Sequence, residues 1–228
     1  MAFLHSFYCW GQIVVVAVTT ITIFFNISWW MILCGWIIVP AINFFLFLRV
    51  PLNQKSTEEI MPIRSLLREK VFWLSLGGIM FGAASEVTLS QYISTFLDHG
   101  LGIEKVCGDM IGVCGFAMMM GIGRTILGKY GSGVNLSKYM KVCSCGAIGC
   151  YLITAFSSET IFPVVSCILS GLFASILWPG TLVIASKGMP FAGASMFALL
   201  AAGGGYWCIA WCWYHRKSRR YFHIPLNS

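Results

Sequence analysis

Long apolar runs, separated by short polar or charged segments, dominate this chain of 228 residues. Charges are nearly absent from the runs: the only one within Val71–Leu97 is Glu86, and the only one within Val142–Ser186 is Glu159. Several runs approach the roughly 20 residues that a helix needs to cross about 30 Å of hydrocarbon. The pattern predicts an all-α polytopic membrane protein. The seven predicted spans are Tyr8–Phe25, Ser28–Arg49, Val71–Phe96, Gly108–Gly128, Lys138–Phe156, Thr160–Ser186 and Phe191–Tyr214.

The longest polar segment, Pro51–Lys70, separates the first two spans from the last five. It contains Ser56–Glu59, which has the capping-box spacing of a helix start. The following stretch, Met61–Arg68, is typical of an interfacial helix that leads into the third span. The sequence therefore predicts two helices in residues 1–50, a cytoplasmic linker at 51–70 and a five-helix unit at 71–205.

Basic residues cluster in alternate loops, and this distribution predicts the orientation. Cytoplasmic loops of membrane proteins carry an excess of Lys and Arg. Three loops fit that description, so we expect them and the N-terminus of this chain on the cytoplasmic side of a cell membrane (plasma or inner). The pattern breaks after the seventh span, which should end outside yet precedes a basic segment, Arg216–Arg220. The basic residues of the three loops are Lys55, Arg64, Arg68, Lys70, Arg124, Lys129, Lys138, Lys141 and Lys187.

Composition supports a lipid-facing surface and argues against several other functions. The chain is 58% hydrophobic and 10% charged, whereas soluble domains carry about 25% charged residues. The net charge of +7 does not indicate nucleic-acid binding, because the basic residues lie in loops and are not interleaved with aromatics. Ten cysteines and four histidines lack metal-binding spacing, and no catalytic or nucleotide-binding signature occurs. We expect a lipid bilayer as partner, no cofactor or metal, and no enzyme activity.

The segment at 206–228 has an unusual composition for a membrane helix. Trp207, Trp211 and Trp213 lie among Cys, Tyr, His and Arg. Tryptophan has the single codon TGG, and each of these residues precedes one whose codon begins with T, so a reading frame one nucleotide later gives glycine at all three. The shifted frame permits a small-residue helix that packs closely in membranes. We hypothesise that a frameshift near Gly205 produced this tail; the alternative is a genuine amphipathic end anchored by interfacial Trp and Tyr.

From Pro62 to Leu200 the chain resembles the C-terminal half of a major facilitator superfamily transporter. The polar segment Pro51–Lys70 resembles the linker between the two six-helix halves of that family. The seven spans would then correspond to family helices five to eleven. His5–Gln12 is similar to the sugar or fucose-permease-like branch. The residues that carry the main resemblance are Gly82–Glu86, Ser90-Gln91, Gly121–Arg124, Gly128–Gly131 and Trp178–Gly180.

This resemblance implies a secondary transporter in which two helical halves rock around a midplane site. It further implies a sugar-like small-molecule substrate and protons as the coupling ion of a symporter. Family helices one to four and twelve have no counterpart in the sequence, so we expect a fragment that does not transport by itself. The cytoplasmic signature of the family carries an Asp that Gly121–Gly131 lacks. Arg124 and Lys129 are still candidates for a cytoplasmic gating loop.

Glu86 is the main candidate for coupling. A charged side chain at the bilayer centre costs about 2.5–3.5 kcal/mol or more, so we expect this carboxylate to face a cavity and to accept a proton. The alternative is a structural hydrogen bond to a neighbouring helix. Ser90, Gln91 and Tyr92 follow it on or near one helix face, and Gln12 lies on the first span. These four are candidates for hydrogen bonds to a solute, with packing as the alternative.

Trp178 and Pro179 mark a predicted break in the sixth span. Proline lacks a backbone N–H and displaces the preceding helical turn, and broken helices in transporters often line the substrate path. Trp178 could stack on a sugar face there. The alternative is a plain proline kink with no contact to solute.

Two other functional classes stay open at this point. A seven-helix receptor would have as many spans, although the predicted cytoplasmic N-terminus and the long loop after the second span argue against it. A non-catalytic membrane assembly protein would need no polar site at all. A reporter fused to residue 1 distinguishes the receptor, because it would then lie outside the cell.

Overall fold

The computed structural model describes residues 2–50, 61–157 and 159–221. Every regular element within those ranges is a helix, and seven stretches are long and apolar enough to cross a membrane. The prediction of an all-α polytopic membrane protein is therefore confirmed. The spans are His5–Phe24, Trp29–Arg49, Lys70–Leu101, Lys105–Tyr130, Leu136–Phe156, Ile161–Gly188 and Gly193–Ala210.

Several of these spans consist of more than one helix. The second span combines α2 and α3, the fourth combines α6, a π-helical turn at Gly108–Val113 and α7, and the sixth combines α9 and α10. A 3-10 turn at Gly131–Gly133 follows α7. The α-helices of the described ranges are α1 (Ala2–Phe24), α2 (Trp29–Trp36), α3 (Ile38–Arg49), α4 (Ile63–Leu66), α5 (Lys70–Leu101), α6 (Lys105–Cys107), α7 (Cys114–Tyr130), α8 (Leu136–Phe156), α9 (Ile161–Ala174), α10 (Leu177–Gly188) and α11 (Gly193–Tyr221).

Two apolar clusters form the core of the bundle. One lies where α5 packs against α10 and α11 and includes Ile79, Met196 and Leu200. The other lies where α5 meets α1, α7 and α9 and includes Ile93 and Phe116. Each of these side chains is at most 1% exposed. Since α5 contributes to both clusters, it is the central helix of the bundle.

Small residues allow the helices around α7 to approach closely. A Cβ added at Gly171 of α9 would overlap the backbone carbonyl of Phe116, so the backbones of α7 and α9 are in direct contact. A Cβ at Gly112 would lie 2.5 Å from side-chain carbons of both Ile93 and Leu97 on α5. Contacts of this kind replace the hydrophobic driving force that is missing between helices in lipid.

The predicted break of the sixth span is confirmed. α9 ends at Ala174 and α10 begins at Leu177, which leaves Ser175 and Ile176 in a turn. Pro179 lies in the first turn of α10 and cannot donate the backbone hydrogen bond that a continuous helix would direct to the carbonyl of Ser175. The break thus follows from the covalent structure of proline.

The predicted interfacial helix at Met61–Arg68 is wrong in its extent. The structure has only the single turn of α4, and its last residue, Leu66, is fully buried in the cluster between α5 and α11. Because Leu66 holds this turn against the end of the bundle, the chain must turn again to begin α5, which leaves no length for a longer helix. The predicted capping box at Ser56–Glu59 lies outside the described residues.

The tail continues the seventh span as one helix. α11 runs without interruption from Gly193 to Tyr221 and crosses the predicted junction after Gly205. Phe81 of α5 meets Trp207 edge to face, with ring centroids 6.5 Å apart, so part of the tail packs on the bundle. A continuous helix is compatible both with a frameshifted tail and with a genuine amphipathic end, so the frameshift stays a prediction. The predicted domain boundaries also stay predictions. Residues 222–228 lie outside the described ranges.

Candidate functional site

Glu86 and Arg124 form a buried ion pair in the middle of the bundle. Glu86 lies near the midpoint of α5, and the Nη2 of Arg124 on α7 donates to its Oε2 at 2.7 Å. The Arg124 side chain is 3% exposed and the Glu86 side chain 14%. A charge-assisted hydrogen bond of this length is stronger than a neutral one, and a low-dielectric environment strengthens it further. The pair therefore ties α5 firmly to α7.

Arg124 also holds two other parts of the bundle. Its Nε donates to the backbone carbonyl of Ser175 at 3.0 Å. Its Nη1 lies 3.4 Å from the carbonyl of His5 and 3.3 Å from the Sγ of Cys9, both on α1. The guanidinium carbon is 6.0 Å from the centroid of the Tyr8 ring, within the range of a cation–π contact. One guanidinium thus connects α1, α5, α7 and the break in the sixth span.

The carbonyl of Ser175 is available to Arg124 because of Pro179. In a continuous helix the carbonyl of residue 175 would accept the N–H of residue 179, but proline has no N–H. The next carbonyl along the chain, that of Ile176, does receive its intrahelical bond, from Gly180 at 2.7 Å. The Nε of Arg124 therefore satisfies an acceptor that the helix itself leaves open, as buried backbone groups require.

Two glycines beside Arg124 make room for these contacts. A Cβ at Gly123 would lie 2.5 Å from the Oγ of Ser175, and one at Gly121 would lie 3.3 Å from the Cβ of Cys9. Larger residues at either position would push the break of the sixth span, or α1, away from the guanidinium. The Gly121–Arg124 motif thus serves the local geometry of the ion pair.

The predicted location of Arg124 is wrong. The sequence placed it in a cytoplasmic gating loop, whereas it lies within α7, is buried and pairs with Glu86. The predicted fourth span, Gly108–Gly128, already includes Arg124, so the error lies in grouping this residue with the basic residues of the following loop and not in the length of the span. Lys129 lies in the last turn of α7, where its Nζ is 5.4 Å from the Tyr130 ring centroid. A gating role for either residue stays a prediction.

The other residues predicted to bind solute differ in their surroundings. Ser90, one turn along α5, donates its hydroxyl to the carbonyl of Val87 on its own helix at 3.1 Å. Gln91 is exposed and Tyr92 half-buried on the same helix. Trp178 packs beside the apolar cluster of α5, α10 and α11. The described contacts of Trp178 are therefore packing contacts, and its contact with a solute stays a prediction.

Gln12 has an unusual environment on α1. Its side-chain Oε1 is buried and accepts no hydrogen bond from the described residues. It lies one helical turn beyond Tyr8 and Cys9, the residues of α1 that face Arg124. A buried acceptor without a donor costs about 1–3 kcal/mol, so a donor from water or a solute would be favoured there.

Sequence analysis missed a hydrogen bond between the third and fifth spans. The hydroxyl of Tyr151 on α8 donates to the backbone carbonyl of Ser85 at 2.7 Å. The two residues line a cleft of about 320 Å³ between α5, α8 and α10, together with Gly78, Gly82, Ser144 and Thr181 among others. The predicted span Lys138–Phe156 contains two tyrosines, Tyr139 near its start and Tyr151 within its apolar part. A search for hydroxyl groups inside apolar runs would therefore have found Tyr151. The partner, a backbone carbonyl 66 residues away, has no signal in the sequence.

The Glu86–Arg124 pair did have a signal in the sequence. Each residue is a single charge within the apolar part of its helix, the charges are opposite, and the helices follow one another in the chain. Buried charges in membrane spans pair with one another. Assigning Arg124 to a loop hid this pairing.

Among the described residues no group of three or more His, Cys, Asp or Glu side chains could hold a metal ion.

Comparison with known proteins does not assign a family to the chain. The site must therefore be interpreted from its own geometry and from the motifs of the third, fourth and sixth spans. No protein-family model matches the chain, and no curated protein or solved structure matches it significantly.

Proposed function

We propose that this multi-pass membrane protein carries the core of a secondary transporter of the major facilitator type, with the Glu86–Arg124 pair as its coupling centre. Glu86 is the proton acceptor, and the solute is a small sugar-like molecule. The observation that supports this most is the burial of a charge pair at the midpoint of a membrane span, in contact with four helical segments.

Energetics favour a functional role for this pair over a purely structural one. Removing two charges from water costs several kcal/mol per ion, and apolar residues of similar volume often stabilise a protein equally well. Ionisable residues inside membrane spans commonly mark proton relays and substrate paths. Holding α5 against α7 does not require a charge pair with so large a desolvation cost, whereas binding and releasing a proton requires an ionisable group.

The broken sixth span supports the same proposal. Discontinuous helices in transporters place free backbone groups at the substrate and ion sites. Here the free carbonyl of Ser175 faces Arg124, so the break and the charge pair share one location. The orphan Oε1 of Gln12, one turn from the same guanidinium contacts, offers an acceptor for a solute hydroxyl.

Solute binding to the purified full chain in lipid nanodiscs tests the proposal without requiring net transport. A panel of monosaccharides, amino acids and small organic anions is screened for a rise in thermal unfolding temperature. A ligand at one hundred times its Kd stabilises a folded protein by about 2.7 kcal/mol. We expect a member of the sugar class to stabilise the protein and, in weakly buffered solution, to change the pH on binding.

Glu86→Gln is the decisive variant, and Glu159→Gln is its matched control. Glu159 is exposed at the turn between α8 and α9, so its substitution removes one charge outside the pair. The solute effect and the pH change should persist in Glu159→Gln and vanish in Glu86→Gln. A solute that stabilises both variants equally, or a panel in which no solute acts, would refute the coupling centre.

A further inference from the structure

The break of the sixth span is held by a side chain from another helix. At a plain proline kink the freed carbonyl is satisfied by water or by a nearby hydroxyl. In this protein the Nε of Arg124 donates to that carbonyl, at Ser175, across 51 residues of sequence. The hydroxyl of Ser175 itself bonds back to Leu172 at 2.6 Å. The guanidinium therefore occupies the acceptor that the break between α9 and α10 leaves open.

We propose that Pro179, Ser175 and Arg124 form a latch that couples the bend of the sixth span to the charge of Glu86. The inference rests on the proposed function only in requiring that Glu86 loses and regains its charge during the working cycle. Arg124 and Pro179 are positioning residues in this latch: the proline keeps the Ser175 carbonyl open, and the guanidinium occupies it while Glu86 is charged.

The contacts of Arg124 explain the coupling. Among its described partners Glu86 supplies the only carboxylate. From α1 the His5 carbonyl, the Tyr8 ring and the Cys9 thiol face it, and the His5 imidazole is close enough to interact with its charge. Without the charge of Glu86 a buried cation has no counter-charge, which is strongly unfavourable. The guanidinium must then move toward water, and it leaves the Ser175 carbonyl as it does so.

Pro179 makes this movement consequential. An ordinary residue at position 179 would return its own N–H to the Ser175 carbonyl and keep the helix straight whether or not Arg124 was there. Proline cannot do so. The Ser175 carbonyl therefore has no donor from its own helix at position 179, and release of the guanidinium removes its described donor and frees the two halves to change their angle.

A distance measurement across the bend tests the latch. Genetically encoded spin labels are placed at Phe162 and Lys187, which are exposed near the two ends of the sixth span. A straight helix would separate these positions by about 37 Å and, after almost seven turns, direct both labels to the same side. Pulsed electron–electron double resonance on the full chain in nanodiscs measures the distribution of distances between the two labels.

Pro179→Ala should lengthen the distance toward the straight-helix value and make it independent of Glu86. Pro163→Ala is the matched control: Pro163 lies in the first turn of α9, where backbone N–H groups have no intrahelical partner, so the distance should not change. If Pro179→Ala has the same distribution as the unmodified protein, the latch is refuted.

Charge variants test the other end of the latch. Glu86→Gln should broaden or shift the distribution, while Glu86→Asp, which keeps the charge, should preserve it. Should Glu86→Gln fail to fold, the double variant Glu86→Gln/Arg124→Gln removes both charges and should show the same broadening. An unchanged distribution in whichever of the two neutral variants folds would overturn the proposal. These distances involve no solute, so failure of the solute-binding test would leave this result unaffected, and the reverse also holds.

Discussion

The second and third spans differ in how a membrane helix is used. The second span, Trp29–Arg49, has the higher mean hydropathy, 2.3, and none of its apolar window is buried by the rest of the chain. The third span, Lys70–Leu101, has a mean hydropathy of 1.3, and a third of its window is buried. The more apolar helix thus faces outward, and the helix that carries Glu86, serines and glycines is the centre of the bundle.

The composition of each span explains this difference. The second span carries a run of large apolar side chains, Phe44–Leu48, each of which is at least 58% exposed. Lipid tails solvate such side chains as well as another helix would, so they gain little from packing against protein. The third span has Gly78 and Gly82, which admit α10 to within van der Waals distance, and the carboxylate of Glu86, which pairs with Arg124 of α7. Small and polar residues, rather than hydrophobicity, therefore identify the internal helix.

Arg124→Met is expected to have the largest effect on stability. It leaves the carboxylate of Glu86 buried without a counter-charge and the carbonyl of Ser175 without a donor. Loss of one partner of a buried pair costs about 3–5 kcal/mol. The free energy of unfolding can be measured from the loss of helical circular dichroism as SDS is added to protein in mixed micelles.

The double variant Arg124→Met/Glu86→Gln is the control for this prediction. It removes both charges, so it should be more stable than Arg124→Met alone, because no unpaired charge is left. If the two variants are equally unstable, the loss comes from packing or from Ser175, and the charge pair does not decide the stability of the third span.

Gly171→Ala and Gly35→Ala test the contrast between packed and lipid-facing helices with the same substitution. The Cβ at position 171 would overlap the Phe116 carbonyl, and α7 and α9 must separate, so we expect a loss of about 1–3 kcal/mol. The Cβ at position 35, in the second span, meets nothing within 4 Å. There the higher helix propensity of alanine should give between zero and about 1 kcal/mol of stabilisation.

The same SDS titration measures both glycine variants. Equal destabilisation by the two substitutions would mean that the second span also packs closely against another helix. In that case the comparison between the spans would fail, since exposure within this chain would no longer distinguish a lipid-facing helix from a packed one.

Local chemistry made part of the site predictable from sequence. Glu86 is a single charge in an apolar run. Proline interrupts a helix unless it lies in the first turn, so Pro179 predicts a break within the sixth span. Both features can therefore be predicted from the local sequence. The bond from Arg124 to Ser175 cannot, because it depends on how the fourth and sixth spans pack. Basic residues near a span end normally lie in water, so the sequence alone favours a loop position for Arg124. Its burial follows from the packing of α1, α5 and the sixth span around it.

Tyr151→Phe is expected to have the smallest effect of the three. It removes the hydroxyl that donates to the Ser85 carbonyl at 2.7 Å, yet keeps the ring in the cleft between α5 and α8. Hydrogen bonds between membrane helices contribute about 0.6 kcal/mol on average and at most about 1.7 kcal/mol. We therefore expect a loss within that range in the SDS titration.

Tyr130→Phe is the matched control, since Tyr130 is 65% exposed at the end of α7 and its substitution should change stability by no more than about 0.5 kcal/mol. If Tyr151→Phe also leaves the free energy of unfolding unchanged, the hydrogen bond from Tyr151 to Ser85 contributes no more to stability than a hydrogen bond to water would. The hydroxyl of Tyr151 would then contribute nothing to the attachment of the third span to α8. A loss confined to Tyr151→Phe would instead show that polar contacts fix this helix on two of its faces.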